Sequence, residues 1–523
     1  MSDHIEAIIH DLSAPAAYPH RPATVRVVQT HISVVFVTDD LVYKVKKPVS
    51  LGFLDFSTVQ QRKHFCHQEV ILNSRFSRGI YLGVVPIYRG SSGYNLIGDG
   101  EEVDFAVLMR HIPEERLMSS MLERDLITPE KLDELAARLA YYHSIAATGP
   151  EIARFGGVDV IYRNVEENFK QTLPYIGRAI DLETHAETSY LAKDFLFVHE
   201  NLFRERVRGG FIRDCHGDLH LDHVVMLDEI MLYDCIEFND RFRYGDTAAD
   251  LGFLLMDLDY WGFPVFSRLL GKRYAEVSED GDILRLIGFY KSYRAFVRGK
   301  VAALTLDEPE ISDEEKAHSL MSASGHFRLA RAYFKPDPPP TLIITVGLIG
   351  TGKTRVATGL GKRLAAQPLA SDVIRKEIHG IDKLEHHLDK FERGLYTANA
   401  TERTYGELLD RARQALQRGE SAILDASFIR YHHREAARDL ARECNARFRI
   451  IQCTATDNVI HERLSKRILL PDEPSDGRWE LLDSQKARFQ PFGPDESADL
   501  RTWDSTTDLC PFLAAFVREL LSS

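Results

Sequence analysis

The chain is poor in the features that would place it in a membrane, in an oxidising compartment or on nucleic acid. Its 523 residues contain no apolar run of about 18 or more, the length a helix needs to span a bilayer. The opening stretch, MSDHIEAIIHDL, carries acids and lacks the basic-then-apolar order of a secretory signal. Cysteine is scarce. Cys66, Cys215, Cys235, Cys444, Cys453 and Cys510 are scattered without metal-ligand spacing, which suits reduced thiols and a cytoplasmic protein with no membrane partner. Positive charge is in deficit: the net charge is −13, and residues 341–523 balance acids against bases, so the acidic excess lies in the first 340. That is a poor electrostatic footprint for a nucleic-acid binder. Repeats and low-complexity tracts are missing too. What remains is a soluble globular composition, 44% hydrophobic and 27% charged, long enough for about two to four domains.

The most informative stretch is 341–354, TLIITVGLIGTGKT. β-favouring apolar residues run into Gly347, then Leu348, Ile349, Gly350, Thr351, Gly352, Lys353 and Thr354, the full phosphate-loop pattern in the strand–turn–helix setting it requires. The glycines let backbone N–H groups turn inward around a phosphate. Lys353 is expected on the β- and γ-phosphates, and the Thr354 hydroxyl on Mg²⁺. ATP and Mg²⁺ are therefore the expected ligands, with a helix over 354–365.

The chain divides just before this motif. Residues 334–340, FKPDPPP, cannot continue a helix and read as a stiff extended linker. Behind it, in 341–523, strands alternate with helices, so a doubly wound parallel sheet is expected. In LASDVIRK, Asp372 stands three residues before Arg375, either facing the crevice at the carboxyl edge of the sheet or capping the next helix together with Ser371. An amphipathic helix is expected over 402–417. Next, SAILDASF is a buried strand ending at Asp425, the usual place for an acid that supports Mg²⁺ through water. A strand over 448–453 precedes a helix over 457–467, on which Arg463 and Arg467 lie four apart on one face, as a lid over a transferring phosphate would need. Residues 470–477 read as a loop.

The front part, 1–333, opens with strands: 24–37 alternates around a polar turn at 29–31, and 41–45 follows. Lys44, in VYKVKKPV, is followed by a helical stretch over 57–76 containing Glu69. A lysine on a small antiparallel sheet and a glutamate on the next helix is how kinases hold the α- and β-phosphates. The plain alternative is a solvated lysine at a strand end.

Further on, 211–223 reads FIRDCHGDLHLDH, with strands expected over 224–227 and 230–238. Here the sequence resembles the aminoglycoside phosphotransferase family, whose fold is that of the eukaryotic protein kinases, over roughly residues 20–330. The resemblance implies that Asp218 is the catalytic base, that Lys44 and Glu69 position phosphates, and that Met109, in the stretch 109–111, lies at the hinge beside the adenine. The stretch 139–143, LAYYH, and Asp246, Asp250 and Leu251 fall where that family keeps structural elements. Where the family carries a metal-binding asparagine, this chain has His223. Imidazole suits Mn²⁺ better than Mg²⁺, so Mn²⁺ is admitted as the front-domain metal. The second metal-binding acid falls by spacing on Glu237, with Asp234 an earlier candidate. A glycine-rich loop is lacking, and the turn 30–33 stands in its place. The front domain is thus either a kinase with altered metal ligation or a kinase fold that binds ligand without transfer.

The rear part resembles the small-kinase branch of the phosphate-loop proteins, including gluconate kinase, the 5′-hydroxyl polynucleotide kinase domain and zeta-toxin-like kinases, through GLIGTGKT, SDVIRK, ILDASF and ERLSKR. That resemblance implies Asp372 as the base for an acceptor hydroxyl and Arg375 on the substrate. The expected fold is an α+β bilobal protein-kinase-like N-terminal domain (small lobe 1–112, large lobe 113–333) followed by an α/β phosphate-loop domain, 341–523, with a parallel sheet. The expected function is ATP-dependent phosphotransfer to a small-molecule hydroxyl, a 5′-hydroxyl of nucleic acid being the less favoured acceptor. The competing expectation is an ATP-switched regulatory protein whose front domain senses a ligand.

Overall fold

The structure is a computed structural model that describes residues 2–308, 311–381, 397–467 and 480–522. Two compact units emerge: Met1–Leu258 with Ser267–Phe334, and Lys335–Ser523 with the short segment Asp259–Phe266. Between Phe334 and Thr341, residues 336–340 form neither helix nor strand, as their prolines dictate. Among the described residues no helix is long and apolar enough to cross a membrane. All six cysteines are free.

The front unit starts with a helix the sequence reading did not anticipate, Ser2–Leu12. Among the acids of that stretch, Ile5, Ile8, Ile9 and Leu12 stand at helical spacing and put an apolar stripe on one side. Ile8 and Leu12 are fully buried against one face of a six-stranded antiparallel sheet. Its strands are β1 (Arg26–Gln29), β2 (Ser33–Val37), β3 (Leu41–Lys46), β4 (Tyr81–Gly90), β5 (Gly93–Asn95) and β6 (Glu101–Arg110), in the order β1-β2-β3-β6-β4-β5. The alternation in β3 decides the site. Tyr43 and Val45 join Val34 and Phe36 under the N-terminal helix, so Lys44 and Lys46 both point to the other face. That face is covered by the helix Val59–Asn73, which a Thr58/Gln61 capping box starts and which carries Glu69.

The rest of the front unit is mostly helical, with two small two-stranded sheets. β7 (Ile212–Asp214) pairs with β10 (Tyr244–Asp246), and β8 (Val224–Met226) pairs with β9 (Ile230–Leu232). The strand expected over 230–238 stops at Leu232. Beyond it the backbone leaves the ladder: Asp234 adopts φ +61°, its N–H donates to the Tyr81 hydroxyl at 3.1 Å, and the Cys235 N–H donates to Asn73 Oδ1 at 2.8 Å. Side-chain acceptors replace strand partners there, so an apolar run continues without a strand.

In the rear unit β11 (Thr341–Val346), β12 (Pro368–Ala370), β13 (Ala422–Asp425), β14 (Arg447–Thr454) and β15 (Leu500–Asp504) form a parallel sheet in the order β12-β13-β11-β14-β15. β11 is central and buried throughout. Leu342, Ile344 and Val346 enter the core on one face, and Ile343 that on the other, as a strand covered on both sides requires. The helix Lys353–Leu364 follows β11, and Ser371–Ile378 follows β12. The N-cap of the latter is Ala370, with no side-chain hydrogen bond, so neither Ser371 nor Asp372 caps it.

Candidate active sites

The rear site lies at the carboxyl edge of β11 and β13. The loop 347–352 leaves β11 so tightly that a Cβ on Gly347 would sit 2.5 Å from the Cys453 carbonyl oxygen and 2.8 Å from Thr351 Oγ1. Gly352, at φ +93°, opens the helix Lys353–Leu364, where its backbone passes close to Trp503. A glycine loop running into a helix N-terminus is the setting in which backbone N–H groups receive a phosphate. Lys353 Nζ donates to the Leu348 carbonyl at 2.9 Å, which keeps the ammonium at the mouth of the loop. The Thr354 hydroxyl lies near enough to the Asp425 carboxylate to favour its charged form, and Thr345 Oγ1 lies 3.3 Å from that carboxylate. Burial raises the Asp425 pKa, opposed by Lys353 and Thr354. Asp372 is close enough to add to the rise, and its own carboxylate takes a 3.1 Å hydrogen bond from Arg375. A hydroxyl and two carboxylates beside a phosphate-ready loop are a hard oxygen donor set, which fits Mg²⁺.

The two arginines meet different fates. Arg463 donates to the Gly350 carbonyl at 3.2 Å and to Ser505 Oγ at 2.7 Å, so it buttresses the phosphate loop from the helix Asp457–Arg467. Arg467 ends that helix; its side chain, like the loop 470–477, lies outside the described residues. Two contacts escaped the sequence reading. Gln485 Oε1 accepts the Ile349 N–H at 2.8 Å, and the Ile349 side chain packs with Ile460, Leu464 and Leu482. No motif announces Gln485, because its role depends on where the helix Glu480–Arg488 folds back.

The front site is built from charge. Lys44 Nζ lies 2.9 Å from Glu69 Oε1 and 2.5 Å from Asp234 Oδ1. Lys46, two residues on and on the same face, reaches the other Glu69 oxygen at 2.6 Å and also ion-pairs with Glu237. Lys46 and Glu69 are almost wholly withdrawn from solvent, at 1% and 0% exposure. Burial raises the Asp234 pKa, but Lys44, His223 and Lys46 together outweigh it and hold the carboxyl below its ordinary range. Burial pushes Glu237 upward against the pull of Lys46. Of the two acids the spacing offered, Asp234 faces Lys44 and His223, whereas Glu237 is taken by Lys46. Met109 lies buried on β6 among Cys66, Tyr81 and Val107. The turn 30–33 is closed by the Thr30 N–H donating to the Ser33 carbonyl at 2.9 Å and the Ser33 N–H to Thr30 Oγ1 at 3.0 Å.

The loop bearing Asp218 is pinned by the helix Thr247–Tyr260. Asp250 accepts the His216 and Gly217 N–H groups at 2.6 and 2.8 Å, and seven residues later Asp257 accepts the Leu221 N–H at 2.9 Å. Two helical turns put both acids on one side. Asp218 keeps 37% of its side chain exposed between His220 and His223. Asp257 was missed by the sequence reading, as was His220.

Comparison with known proteins follows the same division. A model of the phosphotransferase enzyme family matches residues 82–287, and an AAA domain model matches residues 342–492. Uncharacterized proteins of Mycobacterium bovis and Mycobacterium tuberculosis are 30% identical over 442 residues, covering 84% of this chain and 85% of theirs. The chain belongs to their family. This chain joins a kinase-like phosphotransferase domain to a phosphate-loop kinase domain. Among solved structures, a choline/ethanolamine kinase family protein from Mesorhizobium loti overlays 63% of this chain and 95% of its own (13% identity, TM-score 0.39). A gluconokinase from Sinorhizobium meliloti 1021 overlays 35% of this chain and 93% of its own (16% identity, TM-score 0.25). By the two family models, two kinase-type domains are present in one chain.

Proposed function

We propose that the rear domain moves the γ-phosphoryl group of ATP to a hydroxyl of a small molecule, and that the front domain holds a second ATP site. The observation that carries this reading is the convergence of Lys353, Thr354, Asp425 and Asp372 at one sheet edge, beside a loop whose glycines leave room for phosphate. Phosphoryl transfer asks for positioning and neutralised charge more than for covalent help. The loop amides and Lys353 bind and orient the phosphates. Arg463 keeps the loop in shape through the Gly350 carbonyl. Mg²⁺, held by Thr354 and supported by Asp425, would supply further neutralisation of the triphosphate charge. Asp372 accepts the proton of the acceptor hydroxyl, and Arg375, hydrogen-bonded to it, orients both carboxylate and substrate. In the front domain, Lys44 with Glu69 orients phosphates and Asp234 supports a metal.

The charge distribution supports a small acceptor over a nucleic acid, since the acidic excess of the front part would repel phosphate backbones. Incubation of the purified protein with γ-labelled ATP and a panel of sugars, polyols and 5′-hydroxyl oligonucleotides tests the reading. Label on a sugar or polyol is the expected result. Label only on inorganic phosphate would instead favour an ATP-driven switch, and label on the oligonucleotide would overturn the acceptor class.

A further inference from the structure

β13 ends at Asp425, and three residues later Phe428 holds φ +43°, a left-handed conformation that a bulky L-residue rarely adopts. Its ring is wholly buried, so the conformation is fixed inside the rear unit and not at a loose surface turn. Three contacts hold it. The Phe428 N–H donates to the Tyr405 hydroxyl at 3.1 Å, the Phe428 carbonyl accepts from Arg434 at 3.2 Å, and the ring meets the Tyr405 ring edge-on with centroids 5.0 Å apart. Arg434 is itself immobilised, buried against Glu496 through hydrogen bonds of 2.6 and 3.0 Å. Backbone strain persists only where the surroundings over-determine it, and it gathers where a site needs a fixed geometry.

The strained residue reaches the phosphate loop through a single peptide. The Phe428 N–H and the Ser427 carbonyl belong to one planar trans unit, so they point in opposite directions and turn together. That carbonyl accepts the Gly347 N–H at 3.1 Å. One peptide plane is therefore gripped on one edge by Tyr405 and on the other by the first glycine of the loop. Tyr405 comes from the helix Ala398–Gln417, and its ring lies flat on His433, with centroids 3.8 Å apart and planes 8° apart, so the hydroxyl is delivered from a fixed position. Because the peptide follows Asp425 by two residues, its rotation would shift the loop entrance relative to that carboxylate.

We propose that Tyr405 is a positioning residue for the rear site: its hydroxyl sets the Ser427–Phe428 peptide, and that peptide sets the entrance of the phosphate loop. Without the oxygen, the Phe428 N–H is buried and unpaired, and the left-handed conformation loses a bond that offsets its strain. The peptide is then free to turn away from Gly347. The inference rests on the reading of the rear loop as an ATP site.

The test measures Mg·ATP binding to the full chain by calorimetric titration, taking the component that Lys353→Ala removes. Tyr405→Phe deletes one oxygen and keeps both ring contacts. It is expected to weaken that component by about ten-fold with the circular dichroism spectrum unchanged. Phe428→Gly and Phe428→Ala delete the same ring and differ by one methyl group, which keeps the test decisive if Tyr405→Phe misfolds. Glycine adopts φ +43° without strain and alanine does not, so Phe428→Gly should bind about five-fold more tightly than Phe428→Ala. Phe428→Gly should also bind more tightly than Tyr405→Phe while melting at a lower temperature, since it loses a buried ring. A merely structural role for Tyr405 would reverse that order. Affinity that follows melting temperature across these variants, or Tyr405→Phe binding as the unaltered chain does, would overturn the proposal and leave the ATP site standing. A chain with no Lys353-dependent component would overturn the proposed function and this inference with it.

Discussion

On the proposed reading, the two domains prepare for phosphate in opposite ways. The rear site relies on backbone: glycines make the loop, a helix N-terminus points at it, and Lys353 waits at its mouth against a carbonyl. The front site relies on side chains: Lys44, Lys46, Glu69, Asp234 and Glu237 neutralise one another before any ligand arrives. Backbone dipoles carry no net charge, so the rear loop can be stable without a partner network. Buried ions cannot, because a carboxylate or ammonium withdrawn from water must be paired or lose its charge. A lysine therefore has one job in the rear site and two in the front, where Lys46 holds structure and Lys44 faces the site.

That contrast can be broken by exchanging the fates of the lysines. Lys353→Ala is expected to reduce rear-domain turnover by about 10³-fold, since it removes charge stabilisation while leaving the fold standing. Unchanged melting with lost activity is the signature; near-normal turnover would refute the assignment. Lys46→Ala should do the reverse, destabilising the front domain by about 3–5 kcal/mol because Glu69 and Glu237 lose a buried counter-ion. Chemical denaturation followed by circular dichroism reads this, and rear turnover should stay within about two-fold, since the substitution lies outside the rear unit.

Asp372→Asn sharpens the rear half of the comparison. With no capping role to lose, the substitution should slow transfer by about 10²-fold and leave ATP affinity nearly unaltered. An unaffected turnover number would remove Asp372 from the mechanism.

The smallest expected effect concerns acid. Burial lowers the His216 pKa to about 4, so from the ordinary histidine value downward the unfolded chain takes up a proton that the folded one refuses. Stability present at neutral pH is thus lost as pH falls from about 6.5 towards 4. His220 acts in the same direction. Asp257 opposes them: burial raises it to about 6, so the folded state retains a proton that the unfolded state has released, and acidification favours folding. The net loss between pH 6.5 and 4.5 should be on the order of 1 kcal/mol, and Asp257→Asn should steepen it. Denaturation midpoints at three pH values decide; a midpoint that rises on acidification would contradict the sign.

The rear loop was legible in the sequence because its chemistry is contiguous: strand, glycines, lysine and threonine occupy fourteen successive positions, 341–354. Asp425 was found through the strand that ends on it. The front network was legible only in part. Lys44 and Glu69 declare themselves by order, but Lys46 acquires meaning from Glu237, which stands 191 residues away in the chain. Period-two alternation was the available signal, since any role for Lys44 on that face extends to Lys46. The break after Leu232 could not be read from composition: IMLYDCIEF looks like an uninterrupted strand, and it is the side chains of Tyr81 and Asn73 that draw the backbone out of register. Asp257 and Gln485 are found only once helices have folded back onto loops.

Glu69 shared between two lysines also bears on how the front domain can be controlled. Many kinases are silenced by swinging the glutamate-bearing helix outward, which parts it from a single lysine. Here that swing would strand Lys46 and Glu69 in a dry interior. At about 3–5 kcal/mol for a broken buried pair, an outward conformer would be held by roughly one molecule in a hundred or fewer. The helix Val59–Asn73 thus offers a regulator almost no alternative population to capture, and control of this lobe falls to what occupies its site.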